Sequence, residues 1–172
     1  MRIGQGVDAH RFAEEGAGRP LRLCGVEIPD APGLEGHSDA DVALHAVADA
    51  ILGAAALGDL GALFGTNDER YAGADSAVFL HDAVHRAAQF GLRIGNVDCT
   101  LVAQRPRLSA HLPAMRERLA ELLGADPAAV SVKATTTDGL GFTGRSEGIA
   151  CLAVVLLGPV DPAQATAHPT AR

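Results

Sequence analysis

The ten residues from Gly148 to Leu157, Gly-Ile-Ala-Cys-Leu-Ala-Val-Val-Leu-Leu, carry no charge. The run is half the ~20 residues that a membrane helix needs, and no other apolar run in the chain comes closer. A continuous apolar run of this length predicts a central strand covered on both faces. Such a strand needs neighbours. Residues 2–11 read as one. Val97, Cys99, Leu101 and Ala103 alternate with more polar partners and read as a second, which Arg105-Pro106-Arg107 ends; Val130 to Ala134 is a third. Leu21 to Ile28 reads as a tight hairpin turning near Gly25. Three helices fall between the strands. One spans about 39–55. The next runs from Asp75 to Phe90, with Gly91 as its stop. Pro113 opens the last, with Met115, Leu119 and Leu122 on one face, and Gly124 closes it. Alternating strands and helices make the class α/β: a mixed four-stranded main sheet with three helices on one face, plus a small N-terminal hairpin. Gly58 to Gly73 holds four glycines with no period and predicts a binding or closing loop.

A chain of 172 residues suits one domain, here 1–158, followed by a Pro, Ala and Thr-rich tail, 159–172, expected to be disordered. Aromatics are only 3%, so the core must be Ala, Val, Leu and Ile. A net charge of -7 argues against nucleic acid as a partner. Residues 1–10 open polar and glycine-rich, unlike a signal peptide, and nothing suggests a membrane partner. Cys24, Cys99 and Cys151 lie in apolar contexts with no CxxC pair, which predicts buried thiols in a reducing, cytoplasmic compartment.

Chemistry concentrates between His37 and Asp59. Ser38, three residues before Asp41, reads as a capping box that starts the first helix. Val47, Ile51 and Ala54 give that helix an apolar stripe. Asp41, His45 and Asp49 follow at i, i+4 and i+8 and predict a second, polar face. Upstream, Asp8 and His10 are two apart on a strand and point to one side. Asp8, His10 and His45 together would make a two-His, one-carboxylate set suited to zinc or another divalent metal with an open position. Each taken alone is equally a strand-end Asp or a satisfied helix histidine.

Three other stretches match known motifs in part. His81-Asp-Ala-Val-His85 mimics H-E-x-x-H but has Asp82 at the position of the base and no third ligand following, so it reads as a solvated helix face. Gly139-Leu-Gly-Phe-Thr-Gly144 matches G-x-G-x-x-G but leads into a strand, which rejects dinucleotide binding and leaves a loop with backbone N–H groups for phosphate. Lys133-Ala-Thr-Thr-Thr-Asp138 offers hydroxyls and a carboxylate to phosphate and a hard metal, or is a polar turn. Lys133 is the only lysine, so phosphates bound here would need metal ions for most of their compensating charge.

Taken together, these residues resemble the 2-C-methyl-D-erythritol 2,4-cyclodiphosphate synthase family. The resemblance rests on Arg2-Ile-Gly-Gln-Gly-Val-Asp-Ala-His, His37-Ser-Asp-Ala-Asp-Val-Ala-Leu-His, Leu57-Gly-Asp-Leu-Gly, Gly73-Ala-Asp-Ser, Gly95-Asn-Val-Asp, Val132-Lys-Ala-Thr-Thr-Thr and Leu140-Gly-Phe-Thr-Gly-Arg-Ser-Glu-Gly-Ile-Ala. It implies a ferredoxin-like sandwich, a homotrimer with active sites between subunits, and cyclisation of a cytidine-diphospho-methylerythritol 2-phosphate with loss of CMP. By the same resemblance Asp8, His10 and His45 are zinc ligands, and His37 and Thr136 stabilise the transition state. Asp138 holds a second ion, Mg²⁺ or Mn²⁺. Ser38, Asp59 and Gly61 contact the erythritol phosphate end, over which residues 62–73 would close. Ala103, Arg105, Pro106, Arg107 and Leu108, with Ala134, Thr135 and Thr136, form the cytidine pocket. Phe64, Asp68, Thr137, Phe142 and Arg145 complete the substrate-binding set. Arg145 and Glu147 lie near the trimer axis, where some members bind isoprenoid phosphates. The chain departs from the family in having Asp138 where Glu is usual, Gly65-Thr66-Asn67 before Asp68, and the smaller Val7 and Ala9 around the metal strand. Two rival readings remain: a non-catalytic trimeric nucleotide-binding module, and a zinc hydrolase using His81 and His85.

Overall fold

The structure, a computed structural model, describes residues 1–14, 16–65 and 69–160. Its main sheet has four strands in the order β1 (Arg2–Arg11), β6 (Gly148–Pro159), β4 (Leu92–Val102), β5 (Val130–Thr135). β6 is antiparallel to both β1 and β4, whereas β4 and β5 are parallel, so the sheet is mixed as expected. β2 (Pro20–Leu23) and β3 (Val26–Pro32) form the separate hairpin. Cys24 and Gly25 take φ of 55° and 75° there, the left-handed pair that a two-residue hairpin turn requires.

Helices α1 (Val42–Ala55), α3 (Ala77–Gln89) and α4 (Leu112–Leu123) pack on one face of the sheet, α1 against β1 and β6, α3 against α1 and β4, and α4 against β5. The buried side chains of β4 and β6 on that face are Val97, Cys99, Leu101, Ile149, Cys151, Ala153, Val155 and Leu157. The three cysteines are buried, unbonded thiols, with the sulfurs of Cys99 and Cys151 3.3 Å apart.

The aromatic-poor core follows from how closely α1 lies on β1. A Cβ at Gly4 would stand 1.9 Å from the Ala50 carbonyl oxygen, and one at Gly6 would stand 1.9 Å from that of Ala46. Glycine on the strand and alanine on the helix are what this separation admits. Period two along β1 then carries the same inward side from Gly4 and Gly6 to Asp8 and His10. One helical turn before Ala46, α1 begins at Val42, so these polar side chains meet the first turn of the helix rather than its middle.

Several expectations needed correction. The first helix starts later than the capping-box reading: its N-cap is Asp41, because Ala40 turns left-handed at φ 60°. Ser38 instead accepts from the Ala40 N–H. Asp41 does not join His45 and Asp49 on a polar face. It is fully buried and accepts from the N–H groups of Ala43, Leu44, Cys24 and Gly25, tying the hairpin turn to the start of α1. β6 is central but is not covered on both faces, since Leu152 and Val154 are 39% and 42% exposed on the side away from the helices. The stretch 58–73 contains order that its glycines hid: α2 (Leu60–Phe64) and a 3-10 turn at Glu69–Tyr71. Gly141–Gly144 forms one helical turn, α5, before β6. At the far end β6 runs on to Pro159, and the Val160 N–H bonds to Gly91; the rest of the predicted tail, 161–172, lies outside the described residues.

Candidate metal and phosphate site

β1 and the first turn of α1 bring Asp8, His10 and His45 together. His10 Nε2 lies 2.9 Å and His45 Nδ1 3.1 Å from Asp8 Oδ2, and the two nitrogens are 3.2 Å apart. Among the described residues this is the one cluster of such side chains able to hold a metal ion. Donors on a tetrahedral zinc with bonds near 2.0–2.1 Å stand about 3.3 Å apart, so this triangle needs little adjustment. The outward nitrogens are also fixed. His10 Nδ1 lies 2.7 Å from the Glu35 carbonyl oxygen and so must donate, leaving the Nε2 lone pair facing inward. His45 Nε2 lies 2.9 Å from Ser76 Oγ, and that hydroxyl in turn donates to Asp39. Each imidazole is thus oriented from behind, as metal-ligating histidines are. Two imidazoles and a carboxylate are a donor set suited to zinc or another divalent metal.

Burial would push the Asp8 carboxyl up, but its hydrogen bonds to His10 and His45 outweigh that and hold it well below the usual carboxylate range. Burial likewise works against a proton on His10, and the bond to Asp8 overcomes it and raises the imidazole. Both shifts have one cause, the closeness of the Asp8 carboxylate to the two imidazoles.

The cluster opens into a cavity of about 290 Å³, lined also by His37, Ser38, Asp49, Leu60, Gly61, Phe64, Tyr71 and Phe79. Asp59 caps α2 by accepting from Ala62 N–H, and Asp49 accepts from Leu60 N–H at 2.8 Å, which ties α2 to α1. Phe64, Tyr71 and Phe79 form a mutual edge-to-face group with centroids 4.9–5.4 Å apart, and Phe79 meets the His45 ring at 5.8 Å. The cavity wall is thus apolar at one end and rich in acceptors and imidazoles at the other. Asp68 lies outside the described residues.

The other sequence-predicted residues gather elsewhere. Ala103, Pro106, Arg107, Leu108, Ala134, Thr135 and Thr136 line a second cavity, and Arg105 with Pro106, Arg107 and Thr136 lines a third beside it. Neither shares a lining residue with the metal cavity. Thr136 donates to Asp138 Oδ1 at 3.1 Å, and Asp138 turns left-handed at φ 52°. Thr137 bonds to Leu140 O and Thr143, inside the α5 turn. Lys133 pairs with Asp98, not with the threonine run. Phe142 and Glu147 line a small pocket with Ala9, His10 and Arg11, while Arg145 and Glu147 form an exposed ion pair. His81 and His85 are both exposed on α3, and neither joins a metal cluster.

Sequence reasoning missed Ser76, Asp39, Tyr71 and Phe79. Ser76 and Asp39 stood inside the quoted blocks Gly73-Ala-Asp-Ser and His37-Ser-Asp, but only the fold reveals that they meet behind His45.

Known proteins resemble the chain over most of its length. The YgbB family profile matches residues 1–158. A 2-C-methyl-D-erythritol 2,4-cyclodiphosphate synthase of Methylococcus capsulatus is 58% identical over 157 residues, covering 91% of this chain and 98% of that one. The same enzyme of Geobacter sulfurreducens is 57% identical over equal coverage of this chain. Among solved structures, a 2C-methyl-D-erythritol-2,4-cyclodiphosphate synthase superposes with a TM-score of 0.82 at 39% identity, covering 91% of this chain and 100% of that one. The bifunctional IspDF from Campylobacter jejuni gives 0.88 at 42% identity over 93% of this chain and 42% of its own. With a profile spanning nearly the whole described chain and relatives this similar along their own full length, the chain belongs to the YgbB family.

Proposed function

We propose that this chain is a 2-C-methyl-D-erythritol 2,4-cyclodiphosphate synthase. The 2-phosphate of 4-diphosphocytidyl-2-C-methyl-D-erythritol 2-phosphate attacks the β-phosphorus. A new P–O bond closes the ring, the bond from the β-phosphorus to the bridging oxygen breaks, and CMP leaves with that oxygen. The nucleophile is a phosphate with a second pKa near 6, already largely ionised at neutral pH, so no protein base is needed. Catalysis then reduces to folding the substrate onto itself and neutralising its oxygens.

The observation that carries this reading is the Asp8, His10 and His45 triangle opening on the cavity with both imidazoles oriented from behind. Zinc held by these three would supply Lewis-acid stabilisation to the attacked diphosphate. His37 and Ser38 line the same cavity; His37 stabilises the transition state, and Ser38 contacts the erythritol phosphate end. Asp59 and Gly61, with Phe64, receive the erythritol end. Thr136 bonds the α-phosphate, and Asp138 would supply a carboxylate oxygen for Mg²⁺ or Mn²⁺, ions that combine one or two carboxylates with substrate phosphates. The cavity bounded by Ala103, Leu108 and Ala134 takes the cytosine.

In one chain the nucleotide cavities and the metal cavity are separate, which supports a homotrimer whose sites combine halves from neighbouring subunits. The open apolar sheet face of Ile3, Val7, Leu152 and Val154 supports the same assembly, with each ferredoxin-like sandwich presenting that face inward. Arg145 and Glu147 are the residues that would meet an isoprenoid phosphate on the threefold axis. Three unbonded thiols fit the reducing cytoplasm, and among the described residues no helix is long and apolar enough to cross a membrane. Incubation with the cytidylylated 2-phosphate tests the proposal: CMP and the cyclic diphosphate should appear together. Binding of CDP without turnover would favour the non-catalytic module.

A further inference from the structure

The segment between β1 and β2 places Arg19 against the loop that precedes α1. Arg19 Nη1 donates to Gly36 O at 3.1 Å, and Nη2 donates to Ser38 O. The two carbonyls flank His37. Glu35 O accepts from His10, and His37 O accepts from the Gly73 N–H at 2.7 Å. Four consecutive carbonyls, Glu35 to Ser38, are therefore each held, and two of the four belong to one guanidinium. The approach is built in. Gly33 N–H bonds to Arg19 O at 3.1 Å, and a Cβ at Gly33 would fall 2.5 Å from that oxygen. At Gly36 a Cβ would fall 2.8 Å from that of Ala40, so the loop cannot carry bulk at the clamp.

We propose that Arg19 is a positioning residue: its guanidinium bridges the carbonyls on either side of His37 and so fixes the loop that presents His37 and Ser38 to the substrate. The role needs a planar fork with two donors at a set separation, which arginine has and lysine lacks. The inference rests on the cyclodiphosphate synthase reading for what the loop binds, but not for how the loop is held.

The test compares the unaltered protein with Arg19→Ala and Arg19→Lys, each assayed for zinc content, CMP release and amide exchange. In Arg19→Ala, kcat should fall about 10–100-fold with a smaller change in KM, as misplacing catalytic groups by about 1 Å does. Zinc content should be unchanged. The Asp39 and Gly73 amides, which bond to Ala74 O and His37 O, should exchange faster. Arg19→Lys should stay impaired, since charge alone does not bridge two carbonyls. Full activity in Arg19→Lys, unchanged exchange in Arg19→Ala, or zinc lost in step with kcat would each overturn the clamp. If the unaltered protein releases no CMP, the functional reading falls, and the exchange measurement still decides whether Arg19 holds the loop.

Discussion

His45 Nε2 and Ser76 Oγ stand 2.9 Å apart, and Ser76 is fully buried at the start of α3. Its hydroxyl accepts from the imidazole N–H and donates to Asp39, so a carboxylate reaches the metal cluster through one hydroxyl and one ring. Ser76 gives no side-chain cap to α3, so its removal does not unmake the helix. Ser76→Ala should weaken zinc affinity about 10–100-fold, the usual cost of losing such a partner. Competition against a chelator measures it. Unchanged affinity would show that Ser38 Oγ, 3.3 Å from His45 Nε2, and packing against Phe79 suffice to orient the ring.

Asp41 joins the hairpin to α1 through four N–H groups. In Asp41→Asn, Oδ1 can keep three of them, but an amide would face the Gly25 N–H, 2.6 Å from the present Oδ2. The cost should be about 1–3 kcal/mol, a drop of roughly 2–10 °C in Tm.

The same residue gives a pH dependence. Burial, only partly offset by the backbone donors, raises the Asp41 carboxyl from 3.8 to about 6. Between these values the folded state binds a proton that the unfolded chain releases, so this group's contribution falls as pH rises through that window. The stability gap between the unaltered protein and Asp41→Asn should therefore widen from pH 6 down to pH 4, by up to about 3 kcal/mol. Asp8 shifts the other way but is common to both proteins and cancels. Thermal melts across the range check the sign; a constant gap would contradict it.

Gly6 is where β1 touches α1. In Gly6→Ala the new methyl would meet the Ala46 carbonyl at 1.9 Å, so the helix must move. The change should cost about 1–3 kcal/mol or more and loosen zinc binding, because His45 moves with α1 while Asp8 stays on β1. Melting and zinc titration should shift together.

Val154 belongs to the open sheet face. Val154→Asp should give monomers in sedimentation that retain zinc but release no CMP. Active monomers would refute a site shared between subunits.

Much of this was legible in the sequence. Period-two spacing put Asp8 and His10 on one side, and the apolar stripe of the first helix held His45 beside them. The central place of β6 followed from its ten uncharged residues. What spacing could not reveal was the partner across space. Asp41 fits a polar helix face by periodicity, yet the hairpin turn covers it and recruits its carboxylate. Ser38 looks like a cap, yet the left-handed Ala40 moves the helix start past it. α2 was hidden because its five residues hold too little periodicity to read, and its order depends on Asp49 and Phe79 from two other helices. The open face of β6 reads as buried because its residues are apolar on both sides of the strand, and the helices cover only one.

The central claim is that Asp8, His10 and His45 hold one cation on which cyclisation depends. Zinc content and CMP release measured side by side on His45→Ala test it most directly. Both should be lost together while the circular dichroism of the helices is kept. A zinc-free variant that still releases CMP at the unaltered rate would contradict the account.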